Sequence, residues 1–357
     1  MAQFKDFNLF MDKVNKYGMK SGIVKVIPPP EWKAALPPLD DAIKTIRVKD
    51  PIKQDIMGQS GTYRQANILH QRSYNLPQWR QLCDQSEHQP PAKRGERRAN
   101  VEKAKPVTRA KANSTPTVTG GKRKPESGTP DRLPTPVSPK TEGGPSSIKQ
   151  EGNEDDTPLN RREEGNLKPY PFLLVLPNIL DHLGGQIPGV NTAYLYLGMW
   201  KATFAWAFGR RRPYSINYLH FGAPKQWYSI SQGDARRFEA AMKNIWPADA
   251  KACSEFLRHK TFLISPQHLL SNYNIKANKI VHRPGEFVIT FPYGYHSGYN
   301  LGYNCAEAVN FGLPSWIEYG KVAKKCDCDQ AQDSVWINVR DLERKMNGEE
   351  TEYETDF

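Results

Sequence analysis

Gly189-Val-Asn-Thr-Ala-Tyr-Leu-Tyr-Leu-Gly-Met-Trp200 and Tyr214-Ser-Ile-Asn-Tyr-Leu-His-Phe-Gly222 decide the fold class. Each holds a short run of aromatic and aliphatic residues that closes on glycine, the composition of a half-buried pleated strand. Comparable runs stand at Lys201 to Trp206, Trp227 to Ile230, Glu286 to Phe291 and Ala308 to Phe311. Several short strands in one region are the pattern of an antiparallel barrel or jelly roll. Helices are expected at about Asp234 to Ile245, Pro266 to Ser271 and Ser315 to Lys324, so the fold class is mainly β with helices.

Upstream, Phe4, Phe7, Met11 and Val14 recur at helical spacing, with Gly18 as the expected stop. Ile23 to Ile27 reads as a strand closed by Pro28, Pro29 and Pro30. Trp32, Ile56, Tyr63, Tyr74 and Trp79 give this block the bulk for a small core, marginal by itself. From Asp84 to about Lys168 no aromatic residue occurs, and charged residues, Pro, Ser, Thr and Gly dominate. Such a segment buries too little apolar surface to offset the entropy of ordering, and a disordered insert is expected. Its basic clusters, Lys93 to Arg98 and Lys122 to Lys124, suit nuclear import or DNA phosphates, with freely solvated charge as the plain alternative. The expected domains are 1–82, the insert 84–168, a β-rich domain 170–325 and a C-terminal segment 326–357.

The 357 residues carry 50 Lys and Arg against 38 Asp and Glu, a formal net charge of +12. That balance favours a polyanionic neighbourhood such as chromatin. A hydrophobic share of 38%, below the roughly 45–50% of globular chains, fits a partly unfolded chain. No apolar run approaches the roughly 18 residues of a membrane helix, and Met1 leads into polar sequence instead of a signal peptide. Five thinly spread cysteines point to a reducing compartment and to free or metal-bound thiols.

The two opening stretches, together with Phe291-Pro-Tyr-Gly-Tyr-His-Ser-Gly-Tyr-Asn300, closely resemble the JmjC domain of histone lysine demethylases. Phe4-Lys-Asp-Phe7, Gly22-Ile-Val-Lys-Val-Ile-Pro-Pro29 and Gly58-Gln-Ser-Gly61 resemble the α+β JmjN module of the same subfamily, and the long insert is like that of its fungal members. The resemblance covers residues 1 to about 82 and 178 to about 340. It implies a cupin-like double-stranded β-helix, Fe(II) and 2-oxoglutarate as cofactors, a nuclear location, and trimethylated lysine 9 or lysine 36 of the histone H3 tail as substrate. The implied chemistry oxidises a methyl group and releases formaldehyde. It needs no nitrogen lone pair, so trimethyl-lysine is acceptable.

Residue by residue, Lys225 matches the lysine that pairs with the distal carboxylate of 2-oxoglutarate, and Asn217 and Phe204 match cosubstrate neighbours. Gly189, Tyr196 and Asn310 match the methylammonium pocket, with Tyr194 beside it, and Lys260 matches a lysine near the iron. Ala308 and Val309 match residues near the methyl pocket. Without the resemblance, Tyr194 and Tyr196 would be a packed or solvated strand face, and Lys225 a solvated lysine. Cys253 with His259, and Cys326 with Cys328, offer the thiolate and imidazole ligands of tetrahedral zinc. Spacing alone leaves buried thiols equally open. The resemblance, in which these positions match a structural zinc site, decides for zinc. Cys83 and Cys305 are expected to be ordinary buried thiols.

The chain departs from this pattern at the iron. Non-haem iron needs two histidines and a carboxylate, and the family supplies two of these as His-x-Glu directly after Thr-Phe-Ala-Trp. Here Thr203-Phe-Ala-Trp206 runs into Ala207-Phe-Gly-Arg-Arg-Arg-Pro213. Ala207 and Gly209 replace two ligands, His296 alone survives, and three arginines oppose a dication. Residues 207–213 can be encoded as GCA TTT GGA AGA CGT CGA CCT. Without the first base, and with one base added so that the frame is restored at Tyr214, this becomes CAT TTG GAA GAC GTC GAC CTN, or His-Leu-Glu-Asp-Val-Asp-Leu, the family motif, as a compensated frameshift would produce. A tyrosine that helps bind 2-oxoglutarate is also missing upstream of Asn178, so the first strands of the domain are expected to be incomplete. Met1 falls inside the usual JmjN block, and the chain ends without the C-terminal modules common in relatives.

Overall fold

The computed structural model describes residues 6–36, 44–91, 177–187, 190–207, 213–322, 326, 328 and 337–349, all within one unit that spans residues 1–101 and 165–357. The expected disordered insert, from residue 92 to 168, lies outside the described residues, whereas 84–91 continue the N-terminal block through a 3-10 turn at Ser86–His88.

The N-terminal block contributes α1 (Phe7–Ser21), β1 (Ile23–Val26), α2 (Pro30–Ala34), β2 (Arg47–Lys49), β3 (Ile52–Gln59), β4 (Thr62–Leu69), β5 (Ser73–Asn75) and α3 (Leu76–Cys83). The second region supplies β6 (Tyr194–Gly198), β7 (Thr203–Ala207), β8 (Tyr214–Gly222), β9 (Lys225–Ile230), α4 (Ala235–Ile245), α5 (Pro247–Ala252), β10 (Phe262–Ile264) and α6 (Pro266–Tyr273). It continues with β11 (Ala277–His282), β12 (Phe287–Thr290), β13 (Tyr295–Asn300), β14 (Asn304–Phe311), α7 (Ile317–Lys321) and α8 (Val339–Met346).

Two antiparallel sheets form the centre, in the orders β1-β12-β8-β14-β6 and β11-β9-β13-β7. From β6 to β9, and again from β11 to β14, successive strands fall in opposite sheets. This is the winding of the expected double-stranded, cupin-like sandwich. Four strands of residues 194–311 stand in each sheet, so the incompleteness expected of the early strands does not reach this eight-stranded core.

Alternation along the strands separates two faces. Tyr214, Ile216 and Tyr218 of β8, with Phe287 and Ile289 of β12, join Phe7 and Met11 of α1 and Val339 and Leu342 of α8 in one outer core. The opposite face carries Val288, which packs with Trp227 of the second sheet and with Ile23. The N-terminal block is therefore integral to the sandwich: β1 extends the first sheet beside β12, with Ile23 opposite Thr290 and Val26 opposite Phe287.

Helix α1 does not stop at Gly18. Asp6 caps its start by accepting from the Leu9 amide at 3.0 Å, and Gly22, in the left-handed region at φ +83°, ends it. Gly18 is instead the point where the Phe291 ring meets the helix, because a Cβ there would lie 2.1 Å from Phe291 Cζ. Phe291 is buried and rests edge-on against Tyr214 at 5.4 Å, so it has nowhere to move. Gly18→Ala should therefore destabilise the protein by about 1–3 kcal/mol, despite a helix-propensity gain of about 1 kcal/mol. A urea midpoint equal to or above that of the parent chain would refute this.

Strands β11 and β13 were not apparent from composition. Tyr295-His-Ser-Gly-Tyr-Asn300 is too polar to resemble a buried strand, yet it lies between β9 and β7 in the middle of its sheet. The expected strand from Lys201 begins only at Thr203, since Lys201 itself adopts φ +64°.

Candidate active site and metal centre

The space between the sheets is lined by residues that the β-ladders place in rows. His296 on β13 stands opposite Ser229 of β9 and opposite Ala207 of β7. Its Nδ1 shares a hydrogen bond of 3.1 Å with the Gly294 carbonyl, which fixes that nitrogen as the donor and sets the ring orientation. The ring lies 6.0 Å from Trp227. Strand β7 is held from both sides. Gln54 of β3 accepts from the Thr203 amide and donates to its carbonyl, each at 2.8 Å, and Trp206 Nε1 donates to the Ile264 carbonyl at 3.0 Å.

Directly opposed residues of an antiparallel pair have Cβ atoms about 4.5–5.5 Å apart on one face. Position 207 is thus where a second imidazole would stand beside His296, and it holds a methyl group. Gly209 lies outside the described residues and has no side chain to donate. Among the described residues, the one cluster of three or more His, Cys, Asp or Glu side chains with converging ligand atoms lies elsewhere. The residues around His296 do not fit iron.

A carboxylate fits better. Lys225 on β9 is 6% exposed, and burial pulls its ammonium down to about 8. Its Nζ sits 5.8 Å over the Tyr196 ring. Asn217 of β8 is 7% exposed and its Oδ1 has no hydrogen-bond partner. A buried cation without a counter-ion is costly, and an incoming carboxylate would relieve it. Phe204 packs on Trp227 with centroids 4.6 Å apart, forming an apolar wall of the same space. Because Lys225 holds its proton less firmly when folded than when unfolded, ligand-free stability should rise with pH between about 8 and 10.5. Lys225→Met should abolish that rise and add about 1–3 kcal/mol near neutral pH. Denaturant curves at pH 7 and pH 10 measure both effects, and a destabilised variant would contradict the account.

Tyr194 and Tyr196 share one face of β6, opposite Ala308 and Ala306 of β14. Both are exposed, at 42% and 48%, and their rings meet edge to face at 6.2 Å. Nearby protein desolvates the Tyr196 hydroxyl and, with Tyr194, raises its pKa. Asn310 follows Ala308 on the same face of β14, and its backbone amide donates to the Val190 carbonyl at 3.0 Å. Gly189 lies outside the described residues. Val309, expected near this pocket, is buried in the outer core on the opposite face, because a one-residue step along a strand reverses direction. Lys260 is exposed, in left-handed conformation (φ 56°), after the 3-10 turn Phe256–His259. That turn packs against β7, so Lys260 follows an element that touches the strand bearing Ala207.

The cysteine–histidine cluster is well formed. Cys253 caps the end of α5, His259 closes the 3-10 turn, and Cys326 and Cys328 follow α7. Their ligand atoms all lie within 4.8 Å of one another. Cys326 Sγ is 3.5 Å from both Cys253 Sγ and His259 Nε2. A tetrahedron with Zn–S of about 2.3 Å and Zn–N of about 2.0–2.1 Å has edges near these lengths. Without a metal, burial and then the neighbouring thiols push Cys253 up to about 12. Cys83 and Cys305 are buried and free.

One residue escaped the sequence reading. His282 on β11 is fully buried and directly opposite Lys225. The only signal for it would have been the β9–β11 register, which depends on a strand that composition did not reveal.

Comparison with known proteins places these features. A jmjN domain matches residues 1–28, and a family described as "JmjC domain, hydroxylase" matches residues 194–311. The chain is 36% identical over 333 residues to the probable lysine-specific demethylase 4F of Homo sapiens, covering 93% of this chain and 46% of the relative. It is 35% identical over 352 residues to lysine-specific demethylase 4B of Mus musculus, covering 96% and 28%. With lysine-specific demethylase 4D of Rattus norvegicus it shares 35% over 344 residues, covering 94% and 58%. The chain therefore spans between about a quarter and somewhat over half of the length of these curated relatives. Its wound double sheet, the N-terminal block built into that sheet and these matches make the chain a JmjN- and JmjC-domain protein, homologous to the lysine-specific demethylases of group 4.

Proposed function

We propose that the chain is by descent a histone H3 lysine demethylase of the Fe(II)/2-oxoglutarate type, and that with its present residues it acts as an iron-free, methyl-lysine-binding module of nuclear chromatin. The observation that carries this reading is the register of Ala207 opposite His296. The chain keeps the position of the first missing ligand while lacking the donor. The half-exposed Tyr194 and Tyr196 offer ring faces to a trimethylammonium head, a cation–π contact that does not require the metal. Lysine 9 and lysine 36 of histone H3 are the two candidate sites. The basic insert would add salt-dependent contacts to DNA. Zinc held by Cys253, His259, Cys326 and Cys328 would be structural, tying the segment after α7 to α5 and the 3-10 turn.

Two measurements test this reading. No formaldehyde should be released from trimethylated histone H3 peptides with added Fe(II) and 2-oxoglutarate, because Ala207 and Gly209 offer no ligand. The same peptides should bind, and Tyr196→Ala should weaken binding about 3- to 10-fold. Iron-dependent formaldehyde release would overturn the proposal.

A second reading is favoured by the codon correspondence over residues 207–213. In it the coding sequence is read as His-Leu-Glu-Asp-Val-Asp-Leu and the protein is a complete demethylase. Sequencing the transcript across Trp206 to Tyr214 separates the two.

A further inference from the structure

We propose that the exposed face of α1, continued past its end by Lys276 and Lys279, is a ridge that binds the phosphates of duplex DNA without regard to sequence. The ridge belongs to the folded core and stands apart from the iron site, the methyl-lysine pocket and the basic insert.

Lys13, Lys16 and Lys20 are exposed and, at about 100° per residue, fall within an arc of about 60° on the helix. Phe7, Met11 and Gly18 are buried on the opposite face. Leu9 and Tyr17, 52% and 63% exposed, lie on the basic side, and Lys16 Nζ sits 5.0 Å over the Tyr17 ring. Asp12 is the one acidic residue within the helix, since Asp6 precedes it and accepts from the Leu9 amide. At the far end the Ser21 carbonyl accepts from Asn278 Nδ2 at 3.2 Å, which brings the exposed Lys276 and Lys279 beside the end of α1. The 3-10 turn Gln232–Asp234 also packs on α1, but its Asp234 is engaged by Arg237 at 2.8 Å.

A lysine-rich helix face is often no more than a solvated surface. What distinguishes this one is that its charges are left bare. Arg80, Lys321, Arg344 and Lys345, on α3, α7 and α8, each hold a carboxylate. Among the described residues, Lys13, Lys16, Lys20, Lys276 and Lys279 hold none. A row of unpaired ammonium groups fits a polyanion. The three on α1 span about 10 Å, and one DNA strand carries about three phosphates over that length of duplex axis. An anionic lipid surface fits less well, because a helix that lies in a membrane interface needs a broad free apolar face. That face of α1 is already buried against the sandwich.

Binding of a 20-base-pair duplex of arbitrary sequence, followed by fluorescence anisotropy between 50 and 200 mM NaCl, tests the proposal. The full-length chain is used with each Lys and Arg of 93–98 and 122–124 changed to Gln, so that the insert clusters no longer contribute. This chain should still bind, with affinity falling steeply as salt rises. Adding Lys13→Gln, Lys16→Gln and Lys20→Gln should weaken binding about 10-fold or more at 100 mM NaCl. It should also lower the log–log salt slope by about 2 to 3, because three phosphate contacts are lost. Gln keeps the helix propensity of Lys, so circular dichroism should be unchanged. Removing the same charge elsewhere, by Lys321→Gln, Arg344→Gln and Lys345→Gln, should change the slope by less than about 1. No DNA binding by the insert-neutral chain, or an equal loss from the two triple variants, would overturn the proposal. Equally tight binding to vesicles of phosphatidylserine and phosphatidylcholine, lost with the same α1 substitutions, would overturn it in favour of a membrane surface.

Discussion

Ala207→His together with Gly209→Glu, within the full replacement of residues 207–213 by His-Leu-Glu-Asp-Val-Asp-Leu, should raise Fe(II) affinity by at least about a thousandfold. Loss of one outer-shell partner already costs a metal site about 10–100-fold, and here two direct ligands are involved. Position 207 is in register with His296 on the neighbouring strand, so the new imidazole should arise beside an existing one whose orientation is set by the Gly294 carbonyl. The replacement also removes Arg210, Arg211 and Arg212, whose charges oppose a dication. Equilibrium dialysis of Fe(II) against the parent and replaced chains measures the difference. Equal affinities in two folded proteins would show that positions 207 and 209 are not the ligand positions.

Removal of the metal from the cysteine–histidine cluster should have the largest effect on stability. Purified protein should contain about one zinc per chain. Chelation or Cys326→Ser should cost about 5 kcal/mol or more, seen as a fall in melting temperature on the order of 10–20 °C, because metal binding is coupled to folding. The cost is large because Cys253 and Cys326 are 73 residues apart in sequence and the metal closes that loop. Four ligand groups would also be left buried or crowded against one another. Cys305→Ser, at a buried cysteine outside the cluster, separates loss of a thiol from loss of the metal. Metal-free protein with an unchanged melting curve would mean that the cluster is four ordinary side chains.

The strand composition of residues 194–311 and the aromatic bulk of the N-terminal block were legible because each is written in neighbouring residues. A run such as Tyr194 to Gly198 or Tyr214 to Gly222 declares itself through local composition, and the resemblance to JmjN and JmjC rests on equally local motifs. The absence of a His-x-Glu pair after Trp206, where Ala207 and Gly209 stand, was likewise visible without coordinates. Gly18 was misjudged because its role is set by Phe291, far along the chain. Strand β13 was missed because a central strand carrying His296, Ser297 and Gly298 follows the needs of the inter-sheet space instead of strand propensity.

Sequence by itself thus determined the family, the class of fold, the candidate ligand types and the lack of a His-x-Glu pair after Trp206. Only the tertiary structure decided that Ala207 stands opposite His296, that Val309 faces away from the pocket, that His282 lies beside Lys225, and that two distant ligand pairs meet in one cluster. The reason is physical. Local propensity depends on a few adjacent side chains, whereas register and facing depend on hydrogen-bonded pairing between segments far apart. A shift of one residue in that pairing sends each side chain of a strand to the other side of the sheet.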